Sequence, residues 1–127
     1  MFLQDLDYLV ATLPQTADTN GLLNATSLAE LPAHAYFINV GRSNVVDDAA
    51  LIDALKNHKL AGAAVDVFDE EPIPQDSPLW ETPQLSITAH IAAVSVPSLI
   101  APIFLENYNC YIDQQPLNYL IDFDTEY

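Results

Sequence analysis

Four residues with chemically useful side chains stand at or after the ends of short apolar segments. Arg42 follows one such segment, Asp66 lies late in the next, and His90 ends the last. Glu71 lies in the Pro-rich stretch that separates the last two segments. In open α/β sheets the carboxyl ends of parallel strands border one crevice, so we expect these four side chains to converge there.

The residue types in this set are those that carbonyl reduction requires. An arginine holds a carboxylate or carbonyl by charge-assisted hydrogen bonds, and a histidine exchanges protons near neutral pH. A carboxylate bonded to that histidine fixes its orientation and favours its protonated form. A nicotinamide cofactor would supply the hydride.

The same residues also admit a purely structural interpretation. A lone histidine at a strand end is often structural, Arg42 could pair with Asp47 or Asp48, and Glu71 could be an ordinary loop carboxylate. Residue types alone leave both interpretations open.

The elements that must position these residues can be predicted from the hydrophobic pattern. Four nearly continuous apolar runs of strand length indicate strands that are covered on both faces, and they span residues 7–12, 36–40, 62–68 and 85–89. With helices between them, the order strand–helix–strand–helix–strand–loop–strand–helix predicts an α/β fold with a parallel sheet of about four strands.

Three helices are predicted around these strands. Ser27 and Glu30 have the spacing of a capping box at the start of a short helix. A second helix covers residues 49–59 after Asp47 and Asp48, and a third, amphipathic one begins at Val96–Pro97 and reaches about Gln114. The stretch 69–83 holds four prolines and is predicted to be an ordered loop without regular structure.

Composition excludes several classes of partner. The net charge is −15, with only three Lys and Arg residues, so neither nucleic acid nor an anionic membrane surface is an expected partner. The N-terminal segment has no basic region before its apolar residues, and no apolar run reaches the roughly 20 residues of a membrane span. Cys110 is the only cysteine, which suits a reducing compartment, and we expect a soluble cytoplasmic protein without a metal site.

Several ordered motifs resemble one enzyme family. INVGRSNVVDDAALIDAL, AGAAVDVFDEEPIP and SPLWETPQLSITAHIAA are similar to successive segments of the D-isomer-specific 2-hydroxyacid dehydrogenases, and LVATLPQTADTNGLLNATSLAELP to the segment that precedes the arginine. The resemblance covers residues 8–95 and is greatest to the glyoxylate/hydroxypyruvate reductase A-type branch. Two positions depart from the pattern: Ser43 replaces a glycine after the arginine, and Ala89 replaces a proline before the histidine.

The resemblance implies a fold and roles for individual residues. The fold would be a partial Rossmann-like, doubly wound sheet that binds NAD or NADP. Arg42 would bind the 2-oxoacid, His90 would donate the proton during reduction, and Glu71 would tune His90. Asp66 would bond the nicotinamide carboxamide. The remaining cofactor contacts would come from Leu13, Pro14, Val40 and Gly41, with Arg42 and His90 also beside the cofactor.

The sequence lacks parts that the family uses. It has three glycines and no Gly-x-Gly-x-x-Gly turn to receive the pyrophosphate. We therefore expect residues 1–127 to be the C-terminal part of the NAD(P)-binding domain, without the dinucleotide fingerprint and the N-terminal substrate domain, and to be weakly active or inactive alone. The exposed first strand predicts a homo-oligomer or pairing with a missing N-terminal segment. The alternative function is a non-catalytic binding or assembly module that keeps the half-sheet as a scaffold.

Overall fold

The computed structural model describes residues 2–126, and its first compact unit, which ends at Ala92, contains a parallel β-sheet. Four strands lie in the order β1-β2-β3-β4, all parallel to their neighbours. Their bounds are Tyr8–Ala11 for β1, Tyr36–Asn39 for β2, Gly62–Val65 for β3 and Leu85–Ile87 for β4. The predicted α/β fold with four parallel strands is confirmed, although each strand is shorter than its apolar run.

Two helices connect the first three strands. Helix α1 covers Ala25–Leu28 and α2 covers Asp48–Lys56. The side chain of Asp47 accepts a hydrogen bond from the Ala50 amide at 3.1 Å. Asp47 thereby caps the N-terminus of α2, where the first amides have no partner within the helix. Apolar residues of α2 join those of the strands in one core, whose fully buried members include Phe37, Leu51 and Leu55.

The predicted cap of α1 is wrong by three residues. The N-cap is Asn24, whose Oδ1 accepts from the amides of Thr26 and Ser27, while the Ser27 hydroxyl oxygen accepts from the Asn24 amide. Ser27 thus supplies the reciprocal half of a capping box that begins three residues earlier than predicted. The reason is tertiary: Leu23 is bridged to Val46, so the chain turns immediately after Leu23 and Asn24 meets the first free amides.

The loop between β3 and β4 also contains regular structure that was not predicted. Residues Pro78–Glu81 form a 3₁₀ turn, and the Ser77 side chain accepts from the Leu79 amide at its start. Proline is tolerated in the first turn of a helix because its missing N–H would have no partner there. A second 3₁₀ turn, Ser43–Val45, follows Arg42.

The second compact unit begins at Ala93. Its helix α3 covers Pro97–Ile112, close to the predicted extent. The side chain of Asn107 accepts from the Asn118 amide at 2.7 Å and donates to the Asn118 carbonyl at 3.2 Å, which fastens the segment after the helix back onto it. Among residues 2–126, no helix is both long and apolar enough to cross a membrane.

Candidate active site

A polar cavity lies at the carboxyl end of the sheet, where the crevice was predicted. Its volume is about 350 Å³, and Arg42, Glu71 and His90 all line it. Its wall is completed by Gln15, Ser43, Val67, Phe68 and Asp69. The sheet therefore brings together three side chains that lie far apart in the sequence, because each follows a strand that ends at the same edge.

His90 and Glu71 form a hydrogen-bonded pair within this cavity. His90 Nδ1 lies 2.8 Å from Glu71 Oε2, and the other carboxylate oxygen accepts from the Phe68 amide at 3.0 Å. The hydrogen bond from His90, with help from the Phe68 amide, lowers the pKa of Glu71 below its ordinary value. Because Nδ1 is engaged by Glu71, Nε2 is the ring nitrogen left for a ligand.

Asp66 holds the segment that carries His90. Its side chain is almost completely buried, with the residue 3% exposed. Oδ1 accepts from the Thr88 hydroxyl and from the Ile91 amide, and Oδ2 accepts from the Ala92 amide at 2.9 Å. The Thr88 hydrogen bond is the largest of several causes that lower the pKa of Asp66, so the carboxylate is ionised at neutral pH.

Asn39 holds the segment that carries Arg42. The Asn39 side chain is fully buried; its Oδ1 accepts from the Gly41 amide at 3.1 Å and its Nδ2 donates to the Arg42 carbonyl at 3.0 Å. The Arg42 guanidinium is exposed and donates to the Gly41 carbonyl at 2.8 Å. Within the described part of the chain, no ion pair joins Arg42 to Asp47 or Asp48, so the structural interpretation of this arginine finds no support.

The loops after β1 and β2 touch through their backbones. A Cβ atom at Gly41 would lie 2.7 Å from both the N and the O of Leu13, closer than real Cβ contacts occur. Glycine is therefore required at position 41 by this close approach. The predicted cofactor contacts Leu13, Pro14, Val40 and Gly41 thus lie on two adjoining loops beside the polar cavity, and their contact with a cofactor stays a prediction.

A second, apolar cavity adjoins the histidine pair. It has a volume of about 410 Å³, and its apolar wall includes Phe68, Ile73, Trp80 and Ile87, with His90 and Glu71 at its border. The indole of Trp80 donates to the Pro74 carbonyl at 2.8 Å, which fixes the ring against the loop. The histidine pair therefore lies between a polar space that contains Arg42 and an apolar one.

Two residues of the site were not identified from the sequence, Asn39 and Thr88. Each is a polar residue in or at the end of an otherwise apolar strand segment. Asn39 bonds to the backbone of the segment that carries Arg42, and Thr88, in the segment that carries His90, bonds to Asp66. A polar side chain inside such a run is the signal that could have found them. That signal does not separate Thr88 from its neighbour Ser86, which occupies a similar position in the sequence.

Comparison with known proteins matches the sequence of this chain to one family. The family model for the NAD-binding domain of D-isomer specific 2-hydroxyacid dehydrogenases matches residues 1–92. Glyoxylate/hydroxypyruvate reductase A of Klebsiella pneumoniae is 47% identical over 96 residues, which are 76% of this chain and 31% of that protein. The chain thus spans about a third of the length of the curated relatives that it matches.

Solved structures give the same result for the fold. A D-isomer specific 2-hydroxyacid dehydrogenase from Xanthobacter autotrophicus, solved with NADPH and MES, superposes with a TM-score of 0.90 at 43% identity, over 95% of this chain and 50% of that one. The NADPH-dependent glyoxylate/hydroxypyruvate reductase of Sinorhizobium meliloti, solved with NADP and sulfate, gives a TM-score of 0.92 at 32% identity, over 99% of this chain and 42% of that one. The Rossmann-like character of the sheet is confirmed by these likenesses. The chain belongs to the D-isomer specific 2-hydroxyacid dehydrogenase family, through the NAD-binding domain of that family.

Proposed function

We propose that this chain supplies the substrate-binding and proton-donating residues of an NAD(P)H-dependent reductase that converts glyoxylate or hydroxypyruvate to the 2-hydroxyacid, which is the D isomer where the product is chiral. The observation that carries the proposal is the hydrogen bond of 2.8 Å between His90 and Glu71 in a cavity that Arg42 also lines. A scaffold has no need of these three residues in one cavity. The names of the Klebsiella and Sinorhizobium relatives support the choice of substrates, and the Sinorhizobium name, which says NADPH-dependent, supports NADPH as the cofactor.

In this proposal Arg42 binds the carboxylate of the 2-oxoacid and orients its carbonyl. Its exposed guanidinium has donors to spare, because within residues 2–126 Nη1 alone is engaged, by the Gly41 carbonyl. His90 holds a proton at Nε2 and transfers it to the carbonyl oxygen, while Glu71 keeps the ring oriented through Nδ1 and stabilises the protonated form. The apolar wall with Trp80 borders one side of the histidine and would disfavour water there.

The residues present fit the nicotinamide end of the cofactor. A carboxylate offers about four acceptor sites. The part of the chain that the structure describes uses three of those on Asp66, which leaves one on Oδ2 for the carboxamide. The backbones of Leu13, Pro14, Val40 and Gly41 would border the ring and its ribose. When bound, the nicotinamide supplies a hydride to the carbonyl carbon of the substrate, which balances the proton from His90.

The test separates binding from turnover, because we expect little turnover from the isolated chain. The sequence has no glycine-rich turn for the pyrophosphate, and that contact contributes much of the cofactor affinity. Hydroxypyruvate and glyoxylate should shift the NMR resonances of the Arg42 guanidinium and the His90 ring, and Arg42→Ala should abolish the His90 shift. Lys56→Ala is the matched control, since it removes a positive charge from α2.

Two outcomes decide between the functions. Shifts confined to the cavity, with any NADPH oxidation abolished by Arg42→Ala, support the reductase. Absence of any shift at Arg42 and His90 up to tens of millimolar 2-oxoacid would reject it and favour the binding or assembly module.

Since the chemistry uses a reduced pyridine nucleotide and the sequence has one cysteine, we propose that the protein is cytoplasmic.

We further propose that the open edge of β1 accepts another strand, and that in the isolated chain a second copy supplies it. Hydrogen bonds from the Tyr36 and Val40 amides to the Asp7 and Ala11 carbonyls show which peptide groups of β1 face β2. By the alternation of a strand, the N–H groups of Tyr8 and Val10 point to the open edge. Both side chains are more than half exposed, and an unprotected apolar edge is a template for pairing.

Val10→Pro tests this edge, because it removes an outward N–H and costs no hydrogen bond to β2. We expect the unchanged chain to form dimers that increase with concentration and with salt, since salt screens the net charge of −15. Val10→Pro should stay monomeric with a similar melting temperature. Light scattering that finds a monomer at every concentration of the unchanged chain would reject the proposal.

A further inference from the structure

His90 lies at a place where the backbone needs support. It follows β4, a strand of three residues, and has a φ of 53°, in the left-handed region that favours glycine. Non-glycine residues persist there when surrounding contacts fix the conformation. The hydrogen bond to Glu71 fixes the end of the side chain, so the backbone must be held by other groups.

Asp66 provides contacts on both sides of His90. Its carboxylate accepts from the Thr88 side chain, two residues before His90, and from the amides of Ile91 and Ala92, directly after it. The carboxylate itself is held by its position at the end of β3, where the Asp66 amide donates to the Asn39 carbonyl at 3.0 Å. The left-handed turn at His90 is thereby fastened to the central part of the sheet.

Thr88 is the one donor of this set that is a side chain, and its residue is exposed. An exposed hydroxyl can bond to water equally well, so its bond to Asp66 is not required to satisfy Thr88. Its effect is on Asp66: with the Thr88 hydroxyl on Oδ1, the carboxylate has a fixed rotation and presents one further lone pair to Ile91 and one to Ala92.

We propose that Thr88 and Asp66 are positioning residues that set the place of His90 against Glu71 by clamping the backbone on both sides of the histidine. The proposal rests on the proposed function only in taking His90 as the proton donor. It goes beyond the cofactor role expected for Asp66, because three of the acceptor sites on this carboxylate serve the polypeptide itself. Thr88 has no role in the expectations drawn from the family resemblance.

The experiment compares Thr88→Val with Thr88→Ser in the full chain. Valine keeps the shape and strand propensity of threonine but lacks the hydroxyl, whereas serine keeps the hydroxyl. Amide hydrogen exchange at Ile91 and Ala92 should accelerate about 5- to 10-fold in Thr88→Val, as expected when one hydrogen bond is lost from a local opening. In the same variant the pKa of Glu71, followed by the NMR shift of its carboxyl carbon, should rise toward the ordinary value, because the bond from His90 is the main cause of its lowering.

The change expected in Thr88→Val is confined to the His90 segment, and Thr88→Ser should not show it. Exchange of core amides such as Phe37 should not change in either variant, and Thr88→Ser should return both the exchange rates and the Glu71 titration to those of the unchanged chain. Unchanged exchange and titration in Thr88→Val would overturn the proposal. Uniform acceleration that includes Phe37 would also overturn it, since that result describes a general loss of stability. Neither readout requires turnover, so failure here is distinguishable from failure of the proposed function.

Discussion

The loop that carries Arg42 and the loop that carries His90 are held in different ways. Asn39 holds the first with one donor and one acceptor, matched to the Arg42 carbonyl and the Gly41 amide. Asp66 holds the second with acceptors alone, matched to a hydroxyl and two amides. Both side chains are buried, but only the aspartate can change its charge. Asn39, which holds the Arg42 loop, therefore has no group that titrates, while the His90 loop is held by an ionised carboxylate.

The largest effect on stability is expected when Asn39, which holds the Arg42 loop, is replaced by aspartate. Asn39→Asp places a carboxylate oxygen against the Arg42 carbonyl in a fully buried position. We expect a loss of about 3 kcal/mol in the free energy of unfolding at pH 7, since an ionised group is left against an acceptor. The folded state would raise the pKa of this new aspartate, so its cost appears as the pH rises and shrinks toward acid pH.

Urea unfolding at pH 7 and at pH 4 measures this dependence. Asn39→Ala is the control, because it removes both hydrogen bonds without adding a charge. An equal cost for Asn39→Asp and Asn39→Ala at both pH values would show that the charge of the anchor is not what distinguishes the two loops.

A smaller effect is expected from Gly41→Ala, which tests the second support of the Arg42 loop. The added Cβ would overlap backbone atoms of Leu13, which cannot move without displacing the loop after β1. We expect a loss of about 2 kcal/mol in thermal or urea unfolding. Gly62→Ala is the matched control: its nearest obstacle is the ring of Tyr36, a residue that is 45% exposed and can rotate away. A greater loss for Gly62→Ala than for Gly41→Ala would contradict this assignment.

The smallest effect at neutral pH is expected from Glu71→Gln, because Glu71 is partly exposed and its pair with His90 is screened by solvent. The folded state lowers the pKa of Glu71, so its contribution to stability is present above the ordinary glutamate value and is lost as the pH falls through the lowered one. Between pH 6 and pH 3 the free energy of unfolding should therefore fall less steeply with decreasing pH in Glu71→Gln than in the unchanged chain. Glu70→Gln, which changes the exposed neighbouring carboxylate, should leave the slope unaltered, and equal slopes for both variants would reject the prediction.

The sequence predicted the sheet and its crevice well because both depend on patterns that are local in the chain. Short apolar runs gave the four strands, and residues that follow parallel strands necessarily approach one another, which brought Arg42, Glu71 and His90 together. The roles of the individual residues in catalysis stay predictions. What sequence could not provide were contacts set by tertiary structure: the cap at Asn24, which depends on the bridge between Leu23 and Val46, and the bond of Thr88 to Asp66, which spans 22 residues.

The close approach of Gly41 to Leu13 has a consequence for how the crevice responds to a bound molecule. With no space for a Cβ atom between the two backbones, the loop after β1 cannot be pressed inward without carrying Gly41, and with it Arg42, in the same direction. The two loops are therefore expected to move together. A ligand that contacts Leu13 alone would then also change the position of the Arg42 guanidinium.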